Sequence, residues 1–100
     1  MTDYQVQHFF SDGVYAKQMS LAKGETAKSH KHTYDHLSIL AKGIALIGVD
    51  GLDSIHHAPA CIDIKAGVHH EITAIEDVVW YCIHATDEKD CNKIDKILIQ

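Results

Sequence analysis

The sequence predicts an all-β fold, a sandwich or barrel, in one domain covering residues 1–100. Short runs rich in Val, Ile, Tyr and Phe alternate along the chain with turn residues such as Ser11-Asp12-Gly13 and Lys23-Gly24-Glu25. Many short strands with regular punctuation are typical of all-β sandwiches and barrels. A length of 100 residues fits one domain. No helical period of ten or more residues is evident before residue 85.

The strand-like runs, in chain order, are residues 6–10, 14–21, 37–40, 44–49, 60–64, 72–75 and 78–83. Asp50-Gly51 follows the fourth run, and this dipeptide predicts a type I′ hairpin turn. Glu76-Asp77 separates the last two runs and predicts another turn. Beyond residue 85, Ile94, Ile97 and Leu98 have helix-like spacing, although a closing strand fits this tail nearly as well.

Composition excludes several classes of partner and location. The formal net charge is −5. The chain has nine lysines, no arginine and no run of basic residues. Neither nucleic acid nor an anionic membrane is therefore an expected partner. The N-terminus lacks the pattern of a signal peptide. Cys61, Cys82 and Cys91 show neither a disulfide framework nor a zinc-knuckle spacing. We therefore expect a cytoplasmic protein.

Histidine is the most unusual feature of the composition, with nine in 100 residues. His30 and His32 are two apart, so a strand places them on one face, aimed at one point. His36 keeps that parity if the strand continues, and a return strand brings it back if the chain bends first. With His70 downstream, these side chains form a candidate metal site. Neutral imidazole suits Fe, Mn, Ni, Cu, Zn or Co better than Ca or Mg.

The segment of residues 24–43 resembles the first motif of the cupin family, in which a glycine, two histidines, a glutamate and a second glycine follow at fixed intervals. Gly24, His30, His32 and Gly43 meet that spacing, while His36 stands in the glutamate position.

The second cupin motif, P-x-G-x-x-H, is similar to the run from Lys65 to His70. Gly67 and His70 match it, and Lys65 replaces the proline. The resemblance covers about residues 14–84. It implies a double-stranded β-helix, or jelly-roll barrel, with one divalent transition metal on His30, His32, His36 and His70.

The resemblance also favours a metal-dependent enzyme of dioxygenase, isomerase or lyase type, acting on a small oxygenated molecule chelated to the metal. A non-catalytic module that binds a metal or a small ligand is the alternative. His36 in place of a carboxylate leaves the full charge on the ion and removes a potential base.

Two phenols are candidate catalytic residues. Tyr34 lies between predicted ligands. Tyr81 faces inward with His70 if Glu76-Asp77 is a two-residue hairpin turn, whereas a turn one residue longer directs Trp80 and Cys82 inward.

The remaining histidines carry weaker signals. His56 and His57 indicate a polar edge or loop. His84 ends an apolar strand, and from that position it can line the mouth of the barrel. His8 lies in the first strand and carries little information. Apolar residues near both termini, outside the metal motifs, predict a homodimer. Small cupins commonly dimerise, as the resemblance implies.

Overall fold

The protein is described by a computed structural model in which residues 5–28 and 36–86 are placed. These residues form nine antiparallel strands: β1 (Gln5–Ser11), β2 (Val14–Leu21), β3 (Thr26–Lys28), β4 (His36–Lys42), β5 (Ile44–Val49), β6 (Leu52–His57), β7 (Ala60–Ile64), β8 (His70–Ala74) and β9 (Val78–Ala85). The described part contains no helix, which confirms the all-β prediction. Accordingly, no described helix has the length and apolar character needed to cross a membrane.

The strands form two sheets. One has five strands in the order β1-β2-β9-β4-β7, and the other has four in the order β3-β8-β5-β6. The two sheets share one apolar core, since Leu40 and Trp80 of the first pack in the same cluster as Ile47 and Ile72 of the second. Strands distant in sequence are therefore neighbours in space, as in a jelly roll.

All seven predicted strands are present, and β3 and β6 are additional. The short β3 offers too few residues for a pattern, and β6 is an edge strand whose side chains are nearly all exposed, so it shows no alternation. The Asp50-Gly51 hairpin is confirmed, because both residues have the positive φ of a type I′ turn, 48° and 84°.

The side chains on the inner face of the five-stranded sheet are apolar at one end and polar at the other. Side chains alternate faces along a strand, and one half of the inner face is apolar, with Met19, Leu21, Leu40, Val78 and Trp80. The other half is polar, with Tyr15, Lys17, His36, Ser38, Cys82 and His84. The apolar half closes the barrel, and the polar half forms the candidate site.

The outer face of the same sheet is also apolar near its centre. Phe9 and Leu37 are about half exposed there, and Phe9 pairs with Ala16, Ala16 with Ile83 and Ile83 with Leu37 across four strands. We name this row of four residues the outer apolar row.

Candidate metal centre

Three aromatic rings form a row across the polar half of the five-stranded sheet. Tyr15 on β2 pairs with His84 on β9. His36 begins β4, and the pairing of Leu37 with Ile83 places it opposite His84. The ring centroids of His36 and His84 are 4.4 Å apart, and those of Tyr15 and His84 are 6.0 Å apart. Register alone thus brings residues from positions 15, 36 and 84 together.

The facing sheet contributes His70, the first residue of β8, which pairs with Val49 on β5. Its ring centroid lies 6.1 Å from that of His36. His36, His70 and His84 are only 4%, 6% and 5% exposed. Imidazoles from both sheets therefore converge in a buried part of the barrel. Imidazole is a side chain well suited to bind a transition metal.

Groups within β4 set the orientation of the His36 ring. Its Nδ1 lies 3.3 Å from the Leu37 carbonyl oxygen, which accepts from Nδ1–H, and 3.4 Å from Ser38 Oγ. A metal-binding histidine is commonly fixed in this way through its second nitrogen. This ring orientation would direct Nε2 rather than Nδ1 of His36 towards a bound metal ion.

The electrostatics of the centre favour a neutral His84 ring. Burial, reinforced by the neighbouring charges of His36 and Lys17, lowers the pKa of His84 from 6.5 to about 4. The neutral ring is the form that binds a metal ion. Nearby, burial raises the pKa of the Cys82 thiol, and the Ser38 hydroxyl, which donates to Cys82 Sγ at 3.8 Å, reduces that effect in part. A protonated thiol at neutral pH is a poor nucleophile and a poor metal ligand.

Tyr15 connects the centre to the edge strand β1. The side chain is 1% exposed, its hydroxyl hydrogen-bonds to His8 Nδ1 at 2.6 Å, and its ring packs on Phe10 at 5.0 Å between centroids. The sequence prediction missed Tyr15, Lys17 and Ser38 as pocket residues. Strand alternation in residues 14–21 was a usable signal for the first two, because Met19 and Leu21 identify the inner face.

Of the four predicted ligands, His36 and His70 are brought together. His30 and His32, and the candidate catalytic residue Tyr34, lie outside the described residues. Within residues 5–28 and 36–86, no group of three or more His, Cys, Asp or Glu side chains is arranged to hold a metal ion. The described residues alone therefore do not make up a metal site, although imidazole donors on both sheets fit the chemistry of the divalent transition metal that the cupin resemblance implies.

The candidate Tyr81 is corrected by the structure. β8 and β9 belong to different sheets, so Glu76-Asp77 does not join a hairpin and the two-residue register does not apply. Trp80 and Cys82 face inward, whereas Tyr81 lies on the outer face, where its hydroxyl donates to Gln18 Oε1 at 2.7 Å. Tyr81 is therefore remote from the pocket.

The other histidines also have defined positions. His56 and His57 lie on the edge strand β6, as the prediction of a polar edge implied, and His56 Nε2 is 2.9 Å from Ser54 Oγ. His84 lines the pocket. His8 belongs to the Tyr15 contact described above.

Comparisons with known proteins identify the fold. No protein-family model and no curated protein match the chain. Among solved structures, an RmlC-like cupin from Methanocaldococcus jannaschii has a TM-score of 0.73 at 14% identity, over 87% of this chain and 84% of that one. A cupin superfamily protein from Desulfitobacterium hafniense has a TM-score of 0.70 at 23% identity, over 83% of this chain and 79% of that one.

A third neighbour is salicylate 1,2-dioxygenase from Pseudoaminobacter salicylatoxidans, with a TM-score of 0.75 at 8% identity. The match covers 95% of this chain and 29% of the dioxygenase chain. These likenesses confirm the predicted cupin jelly-roll fold.

Proposed function

We propose that this chain is a metal-binding cupin that acts on a small oxygenated molecule held in the polar half of its barrel. The observation that carries the proposal is the convergence of His36 and His70 from opposite sheets, with ring centroids 6.1 Å apart in a buried position. His30 and His32, which the motif spacing assigns to the same site, complete the proposed ligand set. A divalent ion held by these histidines would supply Lewis acidity towards an oxygen of the bound molecule.

The residues around the site have separable tasks. Ser38 holds the His36 ring, and the apolar half of the barrel behind it, centred on Trp80, excludes water from that side. The Tyr15 hydroxyl, with its hydrogen bond to His8, provides a phenol at the edge of the pocket. Tyr15 is therefore our candidate for moving a proton to or from a bound molecule, in place of Tyr81.

Two forms of the proposal differ in whether a reaction follows binding. The inner face of the described strands has no Asp or Glu to act as a base, and His36 occupies the position that a glutamate has in the family motif. That observation favours a non-catalytic binding module. The part-buried hydrogen bond between Tyr15 and His8 and the likeness to a dioxygenase favour the enzyme, which we take as the main proposal.

Metal analysis tests the metal site. Protein purified without a histidine tag is expected to contain up to about one equivalent of Fe, Mn, Ni, Cu, Zn or Co per chain. His36→Ala and His70→Ala should each remove most of it. His56→Ala is the matched control, since His56 lies on the edge strand β6. Full metal content in the first two variants would overturn the site assignment.

A turnover assay separates the enzyme from the module. Protein loaded with Fe(II) without oxygen is mixed with catechols, diketones, thiols and sugar phosphates, and oxygen uptake and product formation are then followed. Turnover that Tyr15→Phe reduces supports the enzyme and the role of the phenol. Tight binding without turnover for any metal supports the module.

A further inference from the structure

We propose that a second copy of this chain packs on the outer face of the five-stranded sheet, and that a two-fold axis places Phe9 of each copy against Leu37 of the other. Three observations support this interface: the exposed apolar side chains of the face, the absence of charge from the outward-facing residues of β1, β2 and β9, and the order of side-chain sizes along the outer apolar row. The proposed interface is independent of the proposed metal function.

Large apolar side chains are exposed on this face. Phe9 is 48% exposed, Leu37 51% and Val14 43%. Phe9 and Leu37 end the outer apolar row, and Val14 lies on β2 two residues before Ala16. A contiguous apolar patch rimmed by polar side chains is typical of a surface that binds another protein.

Charge distinguishes this face from the outer face of the four-stranded sheet. Every second residue of β1 from Gln5, of β2 from Val14 and of β9 from Val79 points outward, and none of these residues is charged. On the four-stranded sheet, the outward-facing Glu71 of β8 and Asp53 of β6 flank the same residue of β5. Two copies of a chain with a net charge of −5 repel each other, so a face without like charges is the one that favours their association.

The order of side-chain sizes along the outer apolar row is self-complementary. Across the sheet the row reads Phe9, Ala16, Ile83 and Leu37. Sheets that pack face to face keep their strand directions within about 30° of each other. A two-fold axis parallel to the strands and midway between β2 and β9 places Phe9 over Leu37 of the second copy, and Ile83 over Ala16. Each bulky central side chain thus meets a small one, and the same contacts occur twice.

The face is large enough for a specific contact. It extends over β1, β2, β9 and β4, and with strands about 4.8 Å apart and about 3.3 Å per residue, seven residues long, it spans roughly 19 by 23 Å. Two such faces, with the relief of their side chains, bury about 1,000 Å² in total, the lower bound for a specific interface. The same axis places Val14 over Ala85 of the second copy, which extends the match of large with small side chains beyond the outer apolar row.

The proposed interface lies directly behind the pocket. Three members of the outer apolar row are chain neighbours of the three rings that cross the polar half of the barrel, and side chains alternate faces along a strand. The Leu37 carbonyl oxygen also accepts from Nδ1 of His36. A second copy therefore supports the strand segments that carry the rings, and it covers neither pocket.

Mixing two charged variants tests both the dimer and its symmetry. Masses are measured by light scattering across the micromolar range, with a chelator in the buffer. Wild type is expected at about twice 11.1 kDa, whereas Phe9→Lys and Leu37→Glu are each expected at 11.1 kDa, because either substitution buries two charges without partners. An equimolar mixture of the two variants should return to about twice 11.1 kDa, since the two introduced charges then face each other and the second Phe9–Leu37 contact is unchanged. Ile55→Glu, at a position 60% exposed on β6 of the other sheet, is the matched control and should keep the wild-type mass.

Four results would overturn the inference. Wild type that stays at 11.1 kDa at every concentration excludes the dimer, whether another part of this chain or a different protein covers the face. A dimer mass in either single variant alone excludes this face. A mixture that stays monomeric, although the fluorescence of the buried Trp80 shows both variants to be folded, excludes the pairing of Phe9 with Leu37. Loss of the dimer in Ile55→Glu places the interface on the four-stranded sheet. Because no measurement involves a metal, these outcomes are distinct from a failure of the proposed metal function.

Discussion

Gly43 is expected to be the least replaceable glycine among those that the structure describes. It joins β4 to β5 with a φ of 93°, and a Cβ added to it would lie 2.0 Å from the Asp77 carbonyl oxygen and 3.2 Å from Val78 Cα. Both obstacles are backbone atoms at the start of β9, so neither can move without displacing that strand. Gly24 has almost the same φ, 89°, but no atom lies within 4 Å of its added Cβ. Comparing Gly43→Ala with Gly24→Ala therefore separates the cost of a positive φ from the cost of a steric clash with β9.

The geometry sets the size of the effect. An alanine forced to positive φ costs about 1–2 kcal/mol, and this term applies to Gly24→Ala and Gly43→Ala alike. Overpacking against fixed atoms costs about 1–3 kcal/mol more, and it applies to Gly43→Ala alone. The lower entropy of the unfolded chain with alanine is common to both variants and cancels. We therefore expect Gly43→Ala to be about 1–3 kcal/mol less stable than Gly24→Ala, against a total stability of about 5–15 kcal/mol for a domain of this length.

Urea unfolding measures both variants. Trp80 is the only tryptophan and is fully buried, so its fluorescence reports the unfolding of the core. A chelator in the buffer removes any contribution from bound metal. With a slope near 2 kcal/mol per molar urea, the midpoint of Gly43→Ala should lie about 1 M below that of Gly24→Ala. Equal midpoints would show that β9 yields to the added methyl group, contrary to this reasoning.

Three further outcomes are expected. Ser38→Ala should weaken metal affinity about tenfold to a hundredfold by releasing the His36 ring, whereas Ser54→Ala on β6 should leave it unchanged in a chelator-competition titration. In a variant with Cys91 replaced, a thiol reagent at pH 8 should label the exposed Cys61 readily and the buried Cys82 only on unfolding. Because the pKa of Cys82 is raised in the folded protein, the unfolded thiol ionises first as pH rises above 9.0. The free energy of unfolding should therefore fall in that pH range. For the homodimer interface proposed on the outer apolar row, light scattering should give a mass of about twice 11.1 kDa for wild type and 11.1 kDa for Leu37→Glu. A dimer mass in the variant would exclude that surface as the interface.

The sequence predicted the fold well because its evidence was local. Each of the seven predicted runs is a strand, and the turn at Asp50-Gly51 has the backbone conformation that its residues favour. The pairing of strands could not be obtained in this way. Of the two alternatives for Glu76-Asp77, the two-residue hairpin does not form, and Trp80 and Cys82 face inward as the longer turn implied. The actual partners of β9 are β2 and β4, whose positions in the chain give no local signal of that contact.

The same limit explains what the sequence revealed of the site. Motif spacing identified His36 and His70, which the structure brings together. His84 was considered only because it ends a strand, and its contact with His36 follows from a register that no motif encodes. Tyr15 and Lys17 required both the alternation along β2 and its pairing with β9. Residues that form a site through cross-strand register are thus hidden until the sheet order is known.

The division of the barrel interior gives these register contacts a functional meaning. Along β9, Trp80, Cys82 and His84 share the inner face, and the environment changes from the apolar core to the histidine cluster over four residues. Along β4, Leu40 and His36 mark the same change in the opposite direction, because the strands are antiparallel. Each strand therefore anchors the fold with one part and contributes to the pocket with another. The pocket residues of β2, β4 and β9 stand on strands that also contribute Met19, Leu40 and Trp80 to the core, which is the support that the proposed metal centre would require.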